Sequence, residues 1–330
     1  MPTLKAMPDV LLSRRSALAM LAAVLAGRGA LAQGYPSRVI KIIVPFPAGG
    51  QPDTMARLFG QYLASTLGPC VIDNRPGNNT IIGTRAAATA EPDGYTLLFG
   101  SVTSLVIAPA LSQSAGYDPV KSFTPITAIS RSPMYLTVGP SVKAKTIGEL
   151  VAYAKANPGK LNFVAPTGGP PHLAGEAFKR ATGIEIVPVF YRTMNQAFTD
   201  LLAGQMDIVF DSPAPVAHLH REGKIRALVA LSDKRMAAWS EVPTMMESGL
   251  PDLRMITWNG FVAPAGTPEA IVSRLNVTLN EALRSESIKS TLAKFGSEPL
   301  GGSPQQFADL IAPESKKWGE IIRLSGVKID

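Results

Sequence analysis

The chain has little with which to build covalent chemistry. Its 330 residues hold one cysteine, Cys70, so no intrachain disulfide can form. In PCVID that residue reads as a structural thiol in a short strand. There are three histidines: His172, His218 and His220. His218 and His220 are two apart and point to different faces of a helix, and no carboxylate pattern supports them as metal ligands. His172 begins a helix, where it reads as a capping or packing residue rather than a general base. The chain lacks a Gly-x-Ser-x-Gly elbow, a Gly-x-x-x-x-Gly-Lys-Ser/Thr loop and a His-Glu-x-x-His pair. We therefore expect no catalytic residues, no metal and no cofactor. A periplasmic hydrolase is the enzyme reading that stands against this.

Charge is sparse too, at 17% of residues, and no dense Lys/Arg run occurs. The net charge is +7. Lys5, Arg14, Arg15 and Arg28 against Asp9 place +3 of it in residues 1–32, leaving 7 − 3 = +4 for the remainder. That balance gives no footprint for nucleic acid and weakly suits an anionic ligand. Long apolar runs are also missing. Ala17–Ala26 is too short for a lone membrane anchor. It follows Arg14-Arg15 and precedes Ala30-Leu31-Ala32, the layout of an export signal over 1–32 cleaved before Gln33. A first transmembrane helix is the alternative. Ser13-Arg14-Arg15 resembles a twin-arginine signal, so the Sec and twin-arginine routes both stay open. We expect the mature protein in the periplasm.

What is present is a core-forming composition, 46% hydrophobic, with 29 glycines and 28 prolines in no period. After Gln33, strand and helix patterns alternate. RVIKIIVPF reads as a buried strand, and Met55, Leu58, Phe59, Tyr62 and Leu63 mark one helix face. CVIDN, YTLLFGS, KLNFVA, IEIVPVFY, MDIVFDS and IRALVALS follow as strands with helical stretches between them. The tail reads as two helices, 268–285 and about 304–325, the second kinked at Pro313. Two extended stretches, 124–139 and 254–264, bracket the middle block. The expectation is α/β in two lobes: a discontinuous first lobe, 34–135 plus 258–330, around an inserted second lobe, 136–257.

Ligands of open α/β sheets sit beyond the carboxyl ends of strands, and three junctions draw attention there. In VPFPAGGQPDTMARL, Gly49 and Gly50 permit close approach. Pro52 suits the first helical turn, and Asp53 or Thr54 is available as a cap. Free N–H groups at such a helix start suit an anion. FVAPTGGPPHLAGEAF repeats the device, so two helix starts, one per lobe, can hold one carboxylate between them. FDSPAPVAHL is the third junction, offering Asp211 and Ser212. Ser101, closing YTLLFGS, joins the candidate contacts.

YPSRVIKIIVPFPAGGQPDTMARL, NRPG, EPDGYTLLFGS, YDPVKSFTPIT, ANPGKLNF, HLAGEAFK, DLLAGQMDIVFD, EVPTMMESGLP and APAGTPEAIVSRLN, in order over 35–330, resemble the Bug-type substrate-binding proteins of tripartite tricarboxylate transporters. The resemblance implies a two-lobed periplasmic binding protein, a type II Venus flytrap, that binds a small carboxylate between its lobes and delivers it to membrane permease subunits. A ligand sensor of the same fold is the alternative. The resemblance implies that Phe46, Pro47, Ala48, Gly49, Gly50 and Asp53 grip one carboxylate, and that Thr167, Gly168, Gly169 and His172 serve the second lobe; Arg192 is a further candidate contact. The chain departs from the family pattern at Pro166 and Gly169, at Pro170-Pro171, after NRPG and at Thr193. These changes favour a ligand with a less charged or more apolar distal end.

Overall fold

The computed structural model describes residues 34–191, 194–236 and 239–327. The export segment read at 1–32 and the candidate contact Arg192 lie outside the described residues.

The first sheet is built around β1 (Ile40–Val44), whose Ile40, Ile42, Ile43 and Val44 are at most 2% exposed. A strand apolar on both faces fits a parallel position covered on both sides. It pairs in parallel with β2 (Cys70–Asn74) and β3 (Thr96–Ser101). The crossovers are α1 (Gln51–Thr66), which buries Met55, Ala56, Phe59 and Leu63, and α2 (Ile81–Ala88). After β3 the chain winds into a π-helical segment (Val102–Ile107) and the short α3 (Ala108–Leu111). Two long antiparallel strands, β4 (Phe123–Pro133) and β10 (Ile256–Pro264), and the short β11 (Glu298–Pro299) complete the order β11-β4-β10-β3-β1-β2.

The second sheet has the order β7-β6-β8-β5-β9. Its strands are β5 (Tyr135–Val138), β6 (Asn162–Ala165), β7 (Val187–Phe190), β8 (Ile208–Asp211) and β9 (Arg226–Ala230). Its helices are α4 (Ile147–Ala156), α5 (Pro170–Thr182), α6 (Met194–Leu202) and α7 (Pro213–Arg221).

The extended stretch at 124–139 is not one strand. Met134 divides it between the sheets, because its N–H and C=O are used in the passage between them: N–H donates to Met255 O (3.0 Å) and C=O accepts from Leu231 N (2.7 Å). Met255 N donates to Leu231 O at 2.8 Å. These three residues tie together the outgoing and returning chains.

The tail also departs from expectation, with three helices rather than two: α8 (Glu269–Ala282), α9 (Glu286–Lys294) and α10 (Pro304–Ser325). The apolar pair Ile288 and Leu292, four apart, is buried and makes α9, a stripe too short to stand out in sequence. α10 is a single helix with Pro313 inside it. Its start carries a capping box between Ser303 and Gln306. It packs against β4, the π-helical segment and α5, so it touches both lobes. One apolar cluster accordingly runs from Ile43 and Leu98 through Trp258, Phe307 and Trp318 to Phe163 and Phe210.

Candidate functional site

The first candidate loop joins β1 to α1. Gly49 has φ +83°, a left-handed conformation open to glycine at little cost, and Gly50 is the N-cap of α1 in extended conformation. Neither Asp53 nor Thr54 caps the helix as expected. The Thr54 hydroxyl donates to Gly50 O (3.1 Å). Asp53 turns back: Oδ2 accepts from Gly49 N (2.8 Å) and Arg57 Nε (3.0 Å), and Oδ1 accepts from Asn74 Nδ2 (2.9 Å). Asn74 Nδ2 also reaches Phe46 O at 3.2 Å, so the loop is strapped at both ends. Burial alone raises the Asp53 pKa, but the bonds from Arg57, Gly49 and Asn74 outweigh it and hold the carboxyl at about 2. With Asp53 so occupied, the N–H groups of Gln51 and Asp53 at the head of α1 have no acceptor among the described residues. These are the orphan donors of a helix start.

The second candidate loop, between β6 and α5, repeats this geometry with different atoms. Gly168 has φ +66° and Gly169 is the extended N-cap of α5. His172 occupies the same helical position as Asp53, and its Nδ1 accepts from Gly168 N at 3.3 Å. His172 is 4% exposed, with the Phe163 and Phe190 rings 6.4 and 5.2 Å away. Burial lowers its pKa below the ordinary imidazole value, so the ring is neutral and able to accept. Asp53 and His172 thus brace their loops, whereas sequence reasoning had placed both in contact with ligand. The lobes differ at the helix head. Pro170 and Pro171 fill the first two positions of α5 and have no N–H to offer.

These loops face each other across a cleft of about 220 Å³. The first lobe lines it with Phe46, Gln51, Pro52, Ser101, Val102 and Thr103, and the second with Pro170, Pro171, Asp211 and Ser212. Between them the crossing strands contribute Met134, Thr257, Trp258 and Asn259, beside Ser132 and Ser297. Of the candidate residues, Phe46, Ser101 and Asp211 come together in this lining. Pro47, Ala48, Gly49 and Gly50 sit exposed on the adjoining loop, as does Thr167 opposite. Gly168 is buried and Gly169 half-buried behind the prolines. The sequence offers Ser101 but not the π-helical segment that starts after it. There Ser101 Oγ accepts from Ser104 N (3.2 Å) and Ser104 Oγ from Ser101 N (2.9 Å), a reciprocal cap. The next N–H groups, of Val102 and Thr103, stay unclaimed among the described residues. Sequence reasoning also missed Trp258, 1% exposed, whose indole Nε1–H has no partner among the described residues.

Asp211 ends β8, and its Oδ1 accepts from Ser212 N (2.7 Å) and Ser212 Oγ (3.3 Å). Burial pushes its carboxyl up to about 6, against the pull of those two bonds.

Two α/β lobes joined by crossing strands, with strand ends and helix starts converging on the cleft, define the class of two-lobed periplasmic binding proteins. Comparison with known proteins narrows this. The model of the tripartite tricarboxylate transporter family receptor (TctC) matches residues 55–327. Protein BugT of Bordetella pertussis is 36% identical over 302 residues, covering 90% of this chain and 92% of its own. The solved structure of R. palustris Rpa4515 with adipate superimposes with TM-score 0.78 at 33% identity, covering 89% of this chain and 99% of its own. MatC from Rhodopseudomonas palustris with bound malate gives TM-score 0.75 at 30% identity, covering 87% and 100%. The chain belongs to the tripartite tricarboxylate transporter receptor family.

Proposed function

We propose that this protein is an extracytoplasmic solute receptor, not an enzyme, that holds a small carboxylate between its lobes and hands it to the permease subunits of a tripartite transporter. The observation that carries the reading is the first-lobe wall of the cleft. Two chain segments begin there, α1 and the π-helical segment, and each leaves backbone N–H groups without acceptors among the described residues, beside the Ser101 and Thr103 side chains. Such a wall favours an anion through both its donors and the positive end of the helix dipole. The relatives that hold adipate and malate support the same chemistry. The proposal takes 34–135 with 258–330 as one lobe and 136–257 as the other, places the protein in the periplasm after loss of residues 1–32, and needs no metal or cofactor. Closure around the ligand follows from tighter binding to the closed form.

Native mass spectrometry of protein beginning at residue 33, followed by a thermal-shift panel of carboxylates, tests the reading. A co-purified small acid, or stabilisation by carboxylates alone, supports it. Stabilisation by neutral or cationic solutes and by no acid would overturn it.

A further inference from the structure

The cleft is not symmetric. On the first-lobe side it offers donors: the free N–H groups at α1 and at the π-helical segment, and the Ser101 and Thr103 hydroxyls. The crossing strands add Trp258, whose indole N–H has no partner among the described residues. On the second-lobe side the described residues offer fewer donors. Pro170 and Pro171 occupy the first turn of α5, and Pro213 and Pro215 lie in the first turn of α7. Neither pair has an N–H. The N–H of Ser212, the N-cap of α7, is already taken by Asp211. Among the described lining residues Asp211 is the one ionisable side chain, and none is basic. Its Oδ1 is used by Ser212, while its Oδ2 has no partner among the described residues. One wall therefore accepts an anion and the other presents an acceptor.

Resting on the carboxylate reading above, we propose that the natural ligand is a monocarboxylate whose far end carries a hydrogen-bond donor, an ammonium or hydroxyl group, and that Asp211 Oδ2 selects for that end and against a second carboxylate. The acid group sits on the first-lobe wall, and closure brings Asp211 onto the donor. A dicarboxylate of equal length would set its second carboxylate against Asp211, with no basic side chain among the described lining residues to offset the repulsion. The ligand class thus differs from the adipate and malate held by the two structural relatives.

Isothermal titration calorimetry at pH 7.5 on protein beginning at residue 33 tests this. The probes are straight-chain acids of four to six carbons, in matched sets ending in methyl, hydroxyl, ammonium or carboxylate. The expected order places the hydroxyl or ammonium member first and the dicarboxylate last, by roughly tenfold or more in Kd. Asp211→Asn keeps an acceptor for Ser212 N and should narrow that gap at least tenfold, chiefly by admitting the dicarboxylate. A wild-type protein that binds a dicarboxylate as tightly as its hydroxyl or ammonium counterpart overturns the inference and leaves the carboxylate reading standing. So does an unchanged order in Asp211→Asn. If no acid binds and a neutral or cationic solute does, the carboxylate reading fails and this inference fails with it.

Discussion

Asp53 and His172 perform the same task with different chemistry. Each is the third residue of its helix, and each accepts the N–H of a left-handed glycine four residues earlier: Gly49 at 2.8 Å and Gly168 at 3.3 Å. The sequence shows both residues beside Gly-Gly loops, which is why both stand out as candidates. Their direction was not legible, since spacing does not tell whether a side chain turns outward to a ligand or back onto its own loop. Asp53→Ala would leave Gly49 N without its acceptor and free Arg57 and Asn74. Because Asp53 is buried, the expected cost at pH 7 is about 3 kcal/mol. The pH dependence has a definite sign. The folded carboxyl is held at about 2, below the ordinary 3.8. Its stabilisation is therefore complete above about 3.8 and is lost as pH falls towards 2. Urea unfolding of wild type and variant should differ at pH 7 and converge across that acid window. Equal stability at pH 7 would mean that the loop is held by other contacts.

Among the elements, α5 is held where it is by a glycine. A Cβ at Gly175 would lie 2.1 Å from the Phe163 ring on β6, so helix and strand touch there with no room for a methyl group. Gly148 near the start of α4 is the contrast, with its nearest neighbour 3.9 Å away. We expect Gly175→Ala to cost about 1–3 kcal/mol and to weaken ligand binding, because α5 carries the Gly168–His172 brace. Gly148→Ala should be neutral or stabilise by up to about 1 kcal/mol, alanine being the better helix former. Differential scanning calorimetry separates the two, and equal melting temperatures would contradict the packing argument. HLAGEAF gave no hint of this contact, for a glycine within a helix pattern does not name the ring it meets. The long periodic or fully apolar elements, β1, α1, α8 and β10, were legible because burial writes its period into them. The π-helical segment and α9 were not, because six and nine residues hold too few repeats.

For the whole molecule, the two passages between the sheets were visible as long extended stretches, but the companion contact was not. α10 belongs in sequence to the end of the chain, yet its last turns face α5. Between them Arg180 and Ala181 on one side and Ile321, Leu324 and Ser325 on the other line a groove of about 510 Å³. Contacts between residues so distant in the chain leave no period to read. The groove has a mechanical consequence. If the lobes rotate about Met134, Leu231 and Met255, the distance between α5 and α10 must change with the cleft, because α10 also packs on β4 of the first lobe. The single cysteine makes this measurable: Cys70→Ser clears the background, and Arg180→Cys with Ser325→Cys places one spin label on each side of the groove. Saturation with a tight-binding acid should shift the mean label distance by a few ångströms and narrow its distribution, the signature of hinge closure. The same ligand at 100 times its Kd should add about 2.7 kcal/mol to stability. A stabilising ligand that leaves the label distance unchanged would sink the hinge and make the receptor a rigid cleft, in which the Asp211 wall would have to meet the ligand without moving.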